Sequence, residues 1–200
     1  MRRLMSGIGS CALILTLALP SSASAGEATE AIKSSAQQLQ RIMTDEEMTK
    51  PERDQERWHL LEKINAARFN YDEMAKRSLG AQWSTLKERE REEFVAAFQN
   101  FMSAVYSRLQ GAAGDYIQYL NERPEADYIE VRTLVPSYKE EMSLNYRLVN
   151  NGGNWRIYDL VLDGVSMVGN YRGQFNRIIQ SSSFETLVDQ LRTRSLDIRY

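Results

Sequence analysis

The stretch Asn154–Phe175, NWRIYDLVLDGVSMVGNYRGQF, decides the fold. Its first nine residues are rich in β-branched, aromatic and aliphatic side chains and predict a strand over Asn154 to Leu162. The strand is apolar on both faces near its end, as a strand covered on both sides must be. Asp163-Gly164 then breaks it, and Val168, Tyr171, Phe175 and Ile178/Ile179 recur at helical spacing. A sheet is therefore joined directly to a helix.

Outward from this stretch, Asn150-Asn151-Gly152-Gly153 predicts a hairpin linking the strand back to one over Glu141 to Val149. There Met142, Leu144, Tyr146 and Leu148 share a face, and Ser143, Asn145 and Arg147 the other. Two further strands are predicted over Tyr128 to Val135 and Asp115 to Glu122. Toward the C-terminus, Ser182 and Glu185 predict the cap of a last helix carrying Phe184, Leu187, Val188 and Leu191.

The N-terminal half is helical. Ala28, Ile32, Ser35, Leu39 and Ile42 mark a first helix from about Glu27. Pro51 suits the first turn of a second, striped by Trp58, Leu61 and Ile64. Asn70 is positioned to cap a third, with Glu73 reaching back, Phe69 stapling onto Met74 and Gly80 ending it. A capping box at Thr85 and Glu88 opens the longest helix, to about Gln110, with Phe94, Phe98, Phe101, Met102, Val105 and Leu109 along one side. Gly111 and Gly114 are expected to break it. Helices, then a twisted antiparallel four-stranded sheet, then helices make an α+β domain.

Residues 1–25 read as a secretory signal. Arg2 and Arg3 precede an apolar run from Ile8 to Leu19, and Ala23-Ser24-Ala25 predicts cleavage before Gly26. The run is too short for the ~20 apolar residues of a membrane span. Cys11 precedes most of the apolar run, which argues against a lipoprotein box. Cleavage removes the only Cys and two Arg, so a mature domain over 26–200 carries 23 basic and 27 acidic residues. It can bury roughly 70% of its unfolded surface and needs no disulfide.

Charge and composition exclude several functions. The full chain has a formal charge of −2 and pI near 5.6, which argues against a nucleic-acid binder. One His and one Cys exclude zinc fingers, and no carboxylate spacing suggests a metal site. A Ser-His-Asp triad would have to use His59, and no serine sits in a G-x-S-x-G elbow. Asp159 and Asp163 on one strand would lie ~13 Å apart at ~3.3 Å per residue. Glycosidase pairs are ~5–9.5 Å apart, so a turn or cap role suits Asp163 better. No P-loop or G-x-G-x-x-G is present. No cofactor or catalytic group is expected. The ten Tyr, six Phe, three Trp and eight Met fit either a solid core or a cavity for an apolar ligand.

The 155–175 stretch resembles the signature of the MlaC-type periplasmic phospholipid-binding family, also called the toluene-tolerance family. In that family a strand ending W-x-V-Y-D-V-x-x-x-G-V-S runs into a helix beginning N-Y-R-x-Q-F. Phe69 to Gly80 and Trp83 followed by Phe94 to Phe98 are similar to its other recurrent blocks. The short Pro136 to Glu140 connection and Ser181-Ser182-Ser183 depart from the pattern.

The resemblance implies a carrier of glycerophospholipid between the two membranes of a Gram-negative envelope, serving outer-membrane lipid asymmetry. Implied partners are phospholipid, an inner-membrane ABC-transporter complex and an outer-membrane lipoprotein–porin complex. A two-tailed lipid has ~30 methylenes at ~0.8 kcal/mol each, so its exposed tails would cost ~20 kcal/mol or more. The expected pocket lies between the sheet and the long and C-terminal helices. Its expected lining is Phe98, Phe101, Met102, Val105, Met142, Tyr146, Tyr158, Val165, Val168, Tyr171 and Phe175. Arg147 and Arg172 are candidates for a phosphate at the mouth or for surface salt bridges. A secreted enzyme acting on an apolar substrate, and an adaptor with a solid core, remain the alternatives.

Overall fold

The computed structural model describes residues 26–113, 116–125, 127–136 and 141–199. The signal segment, Gly114, the start of the first expected strand at Asp115 and most of the 136–140 connection lie outside the described residues.

The chain runs α1 (Glu27–Thr44), a 3-10 turn at Pro51–Arg53, α2 (Asp54–Arg68), α3 (Tyr71–Leu79), α4 (Gln82–Thr85) and α5 (Glu88–Ala113). Then follow β1 (Gln118–Pro124), β2 (Ile129–Val135), β3 (Met142–Asn151), β4 (Asn154–Leu162), β5 (Val165–Ser166), α6 (Met167–Ser181) and α7 (Phe184–Arg199).

Among the described residues the sheet has five strands, not four, in the antiparallel order β1-β2-β3-β4-β5. The fifth arises at Asp163-Gly164. Both residues have positive φ, 45° and 80°, so this is a two-residue hairpin that folds Val165 back onto Leu162. The Asn150–Gly153 hairpin uses the same geometry, with Gly152 and Gly153 at φ 62° and 89°.

Several helix ends also differ from expectation. Thr85 closes α4, its hydroxyl donating to the Gln82 carbonyl; the N–H that a cap side chain takes is instead Lys87 N, donated to Glu90. Ser183, not Ser182, accepts the Thr186 N–H at the start of α7. Asn70 does cap α3 by accepting the Glu73 N–H, but the Glu73 carboxylate pairs with Arg77 instead of reaching back. α5 runs through Gly111 to Ala113.

One sheet face carries Ile129, Val131 and Val135, then Leu144, Tyr146 and Leu148, then Ile157 and Leu160. It is buried beneath α1, α2 and α5. The opposite face carries Glu130, Arg132, Asn145 and Arg147 and is half exposed, except along β4 where α3 and α6 pack. The outer edge of β4 is closed by β5 and by Phe69, with the Asn70 N–H donating to the Ile157 carbonyl.

Candidate functional site

The apolar stripe of α5 meets two partners. Its first half packs on α6 and the start of α7. There Phe94 and Phe98 lie edge-on to Phe175, both at 5.8 Å between centroids, and Phe101 lies edge-on to Tyr171 at 5.5 Å. Tyr171 stacks on Phe175 at 5.4 Å, and Phe184 closes the layer against Phe94. Its second half faces the sheet, where Tyr106 is edge-on to Phe69 at 4.8 Å and to Tyr146 at 6.3 Å.

The structure thus brings Phe98, Phe101, Tyr171 and Phe175 into one aromatic layer. Met102 is buried on the same helix, and Val105 is partly buried. Tyr146 lies in the second layer, and Met142 is partly buried at the start of the same sheet face. Val168 is buried in the first turn of α6. Tyr158 is elsewhere. It is left without a cross-strand partner by a bulge opposite Arg147 and Leu148, and its ring meets Tyr128 and the Arg77 guanidinium at 4.2 Å. Val165 is 58% exposed in the short β5 strand.

The expected lining does not include Phe69, Tyr71, Tyr106, Gln110 or Asn65, all of them buried beside it. Tyr106 falls four residues after Met102 and eight after Phe98, so helical spacing alone marks it. Gln110 is buried and donates to the Tyr146 hydroxyl at 2.9 Å. Asn65, fully buried on α2, donates to the hydroxyls of Ser103 at 2.8 Å and Ser107 at 3.0 Å, pinning α2 to α5. No pattern of apolar residues signals such a polar clamp.

Electrostatics favour neutral groups inside. Burial raises the phenols of Tyr71 and Tyr146 above their ordinary range, and burial with nearby Tyr146 raises Tyr106 further. Tyr119, half-buried beside this layer, is pushed up to about 12 by burial and then by Glu30. Of the two phosphate candidates, Arg147 is paired with Glu130 at 3.1 Å and Asp159 at 3.3 Å. Arg172 donates its Nε to the Arg77 carbonyl at 2.7 Å. His59 is exposed on α2. Asp163 accepts the Ser143 N–H, and Asp159 accepts from Ser166 and Val168, so each carboxylate has a structural partner. Among the described residues no group of three or more His, Cys, Asp or Glu side chains is arranged to hold a metal. No helix among them is long and apolar enough to cross a membrane.

A groove of about 400 Å³ opens where α1, α2, α5 and α7 converge, lined by Met43, Trp58, Gly111 and Ile198 among others. Gly111 faces Met43 of α1 there, whereas its neighbour Gln110 turns to Tyr146.

The architecture matches a solved structure from Ralstonia solanacearum, described as a phospholipid-binding protein in complex with a phospholipid, at a TM-score of 0.71. The match covers 86% of this chain and 99% of that one at 19% identity, which establishes a shared fold. A family model described as MlaC protein matches residues 33–193. That span takes in most of α1 through most of α7, with both aromatic layers, and the chain belongs to the MlaC family.

Proposed function

We propose that this protein is a lipid carrier of the periplasm, secreted by the 1–25 signal and folded as one domain over 26–200. It holds the tails of a glycerophospholipid and passes the lipid between an inner-membrane ABC-transporter complex and an outer-membrane lipoprotein–porin complex. Family membership supports this reading, as does the phospholipid bound by the Ralstonia protein of the same fold. The observation in this chain that carries it is the pair of aromatic layers along α5. Apolar rings and Met102 provide surface for methylene chains and adapt to tails of different shape. Neutral phenols and the Gln110 amide add polarity without charge.

The tails are proposed to lie along α5, between the sheet face of Met142 and Tyr146 and the helix faces of Phe98, Phe101, Val105, Val168, Tyr171 and Phe175. The groove at Met43 and Gly111 is proposed as the side of entry. Val165 and Tyr158 are placed outside this path. Handover takes place at a docked partner, because releasing two tails into water is too far uphill. The role is binding, not catalysis.

The test is native mass spectrometry of protein purified from the periplasm, followed by organic extraction. One intact phospholipid per chain is expected. Lyso-lipid or free fatty acid as the main species identifies a hydrolase instead. An empty folded protein that takes no lipid from vesicles identifies an adaptor.

A further inference from the structure

Glu122 is the one carboxylate of edge strand β1, and it points at the start of α1. Its Oε2 accepts the Gly26 N–H at 3.0 Å. Its Oε1 accepts the Thr29 N–H at 2.8 Å and the Thr29 hydroxyl at 2.7 Å. The N-cap position, Gly26, has no side chain, so a residue 96 positions away does the capping. Burial alone would raise the Glu122 carboxyl, but the bonds from Thr29 and Gly26 outweigh it and hold it below its ordinary value. Arg68 of α2 is engaged elsewhere, donating to Ser35 Oγ at 2.9 Å and to the Trp155 carbonyl at 2.6 Å.

Gly26 is also the residue before which the Ala23-Ser24-Ala25 motif predicts cleavage. Hydrolysis of the Ala25–Gly26 bond by a signal peptidase consumes one water. Its oxygen ends on the Ala25 carboxylate, and the Gly26 nitrogen becomes an amine that takes up a proton at neutral pH. A neutral N–H donor at 3.0 Å from Glu122 is thereby replaced by an ammonium.

We propose that Glu122 is the receptor for the α-ammonium created by signal cleavage, so that processing locks α1 onto the edge of the sheet. The proposal rests on the reading of residues 1–25 as a signal. The charge opposes itself without Glu122, because a cation at a helix N-terminus is unfavourable against the helix dipole. With Glu122 in place the hydrogen bond is charge-assisted at both ends, roughly twice as strong as a neutral one. Maturation then fixes the helix whose Ala28, Ile32 and Leu39 are buried in the core, and with it one wall beside the proposed tail path.

The test has two stages. Intact-mass analysis of periplasmic protein is expected to show a chain starting at Gly26; another start overturns the proposal by removing the cleavage reading. Chain starting at Gly26 is then prepared with a free and with an enzymatically acetylated α-amine, and thermal unfolding is compared at neutral pH and low salt. The free amine is expected to melt about 2–4 °C higher, the shift typical of one partly buried pair in a domain this size. The advantage is expected to shrink with salt. In Glu122→Gln the order is expected to invert, acetylated above free. Equal melting of the two wild-type forms, a comparison that needs no variant to fold, overturns the pairing while leaving the cleavage site standing. An advantage that persists in Glu122→Gln does so as well.

Discussion

The Asp159 carboxylate ties the end of β4 to the start of α6, its Oδ1 accepting the Val168 N–H at 3.1 Å. Its Oδ2 accepts from Ser166 Oγ at 2.7 Å and from Arg147 at 3.3 Å. The side chain is only 4% exposed, so the N–H and hydroxyl it serves have no ready substitute in water. Asp159→Ala is expected to cost about 2–3 kcal/mol in urea unfolding, since a buried donor is left unmet. Asp159→Asn keeps an acceptor for Val168 and is expected to cost about half as much. Equal costs for the two would show that the Arg147 charge, not the Val168 bond, carries the effect.

Gly111 is not where α5 breaks; it is where Met43 of α1 crosses α5. A Cβ at position 111 would stand 2.4 Å from Met43 Cε and 3.3 Å from its sulfur. Gly111→Ala gains about 1 kcal/mol of helix propensity, and displacing the Met43 methyl offsets most of it. The single variant is therefore expected to match wild type within about 0.5 kcal/mol, the ordinary range of a neutral change. In a Met43→Ala background the same change is expected to stabilise by about 1 kcal/mol. A double-mutant cycle from denaturant midpoints checks this, and zero coupling would contradict the close approach.

Local features of the fold are legible in the sequence, and contacts between distant residues are not. The Asn150–Gly153 hairpin and the helix stripes follow from local rules, because positive φ demands glycine and burial demands a period. The α5 aromatics and their partners on α6 followed too, since Phe98, Phe101, Tyr171 and Phe175 each lie on a regular stripe. Tyr158 did not follow. Strict alternation puts it on a face set by its neighbours, but the bulge opposite Arg147 and Leu148 turns it toward Arg77 and Tyr128. Whether Gly111 ends a helix or admits a neighbour depends on Met43, 68 positions earlier. The apolar context of Val165 is legible in the sequence, while its pairing with Leu162 at the sheet edge, which leaves it exposed, is not.

Burial of the phenols sets an alkaline limit on the fold. Tyr71, Tyr106, Tyr119, Tyr146, Tyr158 and Tyr171 all titrate above the ordinary value of 10 in the folded protein, each chiefly through burial. The unfolded chain therefore releases these protons first. Stability is fully present below about pH 10 and is lost as pH rises toward the folded values, about 12 for Tyr119 and Tyr158. Phenolate absorbance from these residues is expected to appear together with loss of circular dichroism. Full ionisation of all ten tyrosines in a protein that stays folded would show that the layers are open to solvent.

The proposed tail path makes a demand on volume that can be tested without disturbing any charged group. Tyr146 is fully buried on the sheet face, and Val168 is buried at the α6 start. Tyr146→Trp and Val168→Trp each add bulk along the proposed tail path. Overpacking of this kind costs about 1–3 kcal/mol, which a domain of ordinary stability tolerates. Both variants are expected to keep the wild-type circular dichroism spectrum and to lose most phospholipid occupancy in native mass spectra. Gln110→Leu, which removes the amide from the Tyr146 hydroxyl without adding bulk, is expected to retain occupancy. Wild-type occupancy in both tryptophan variants would move the tails away from α5. Loss in Gln110→Leu alone would make the amide, and not the space, the determinant of binding.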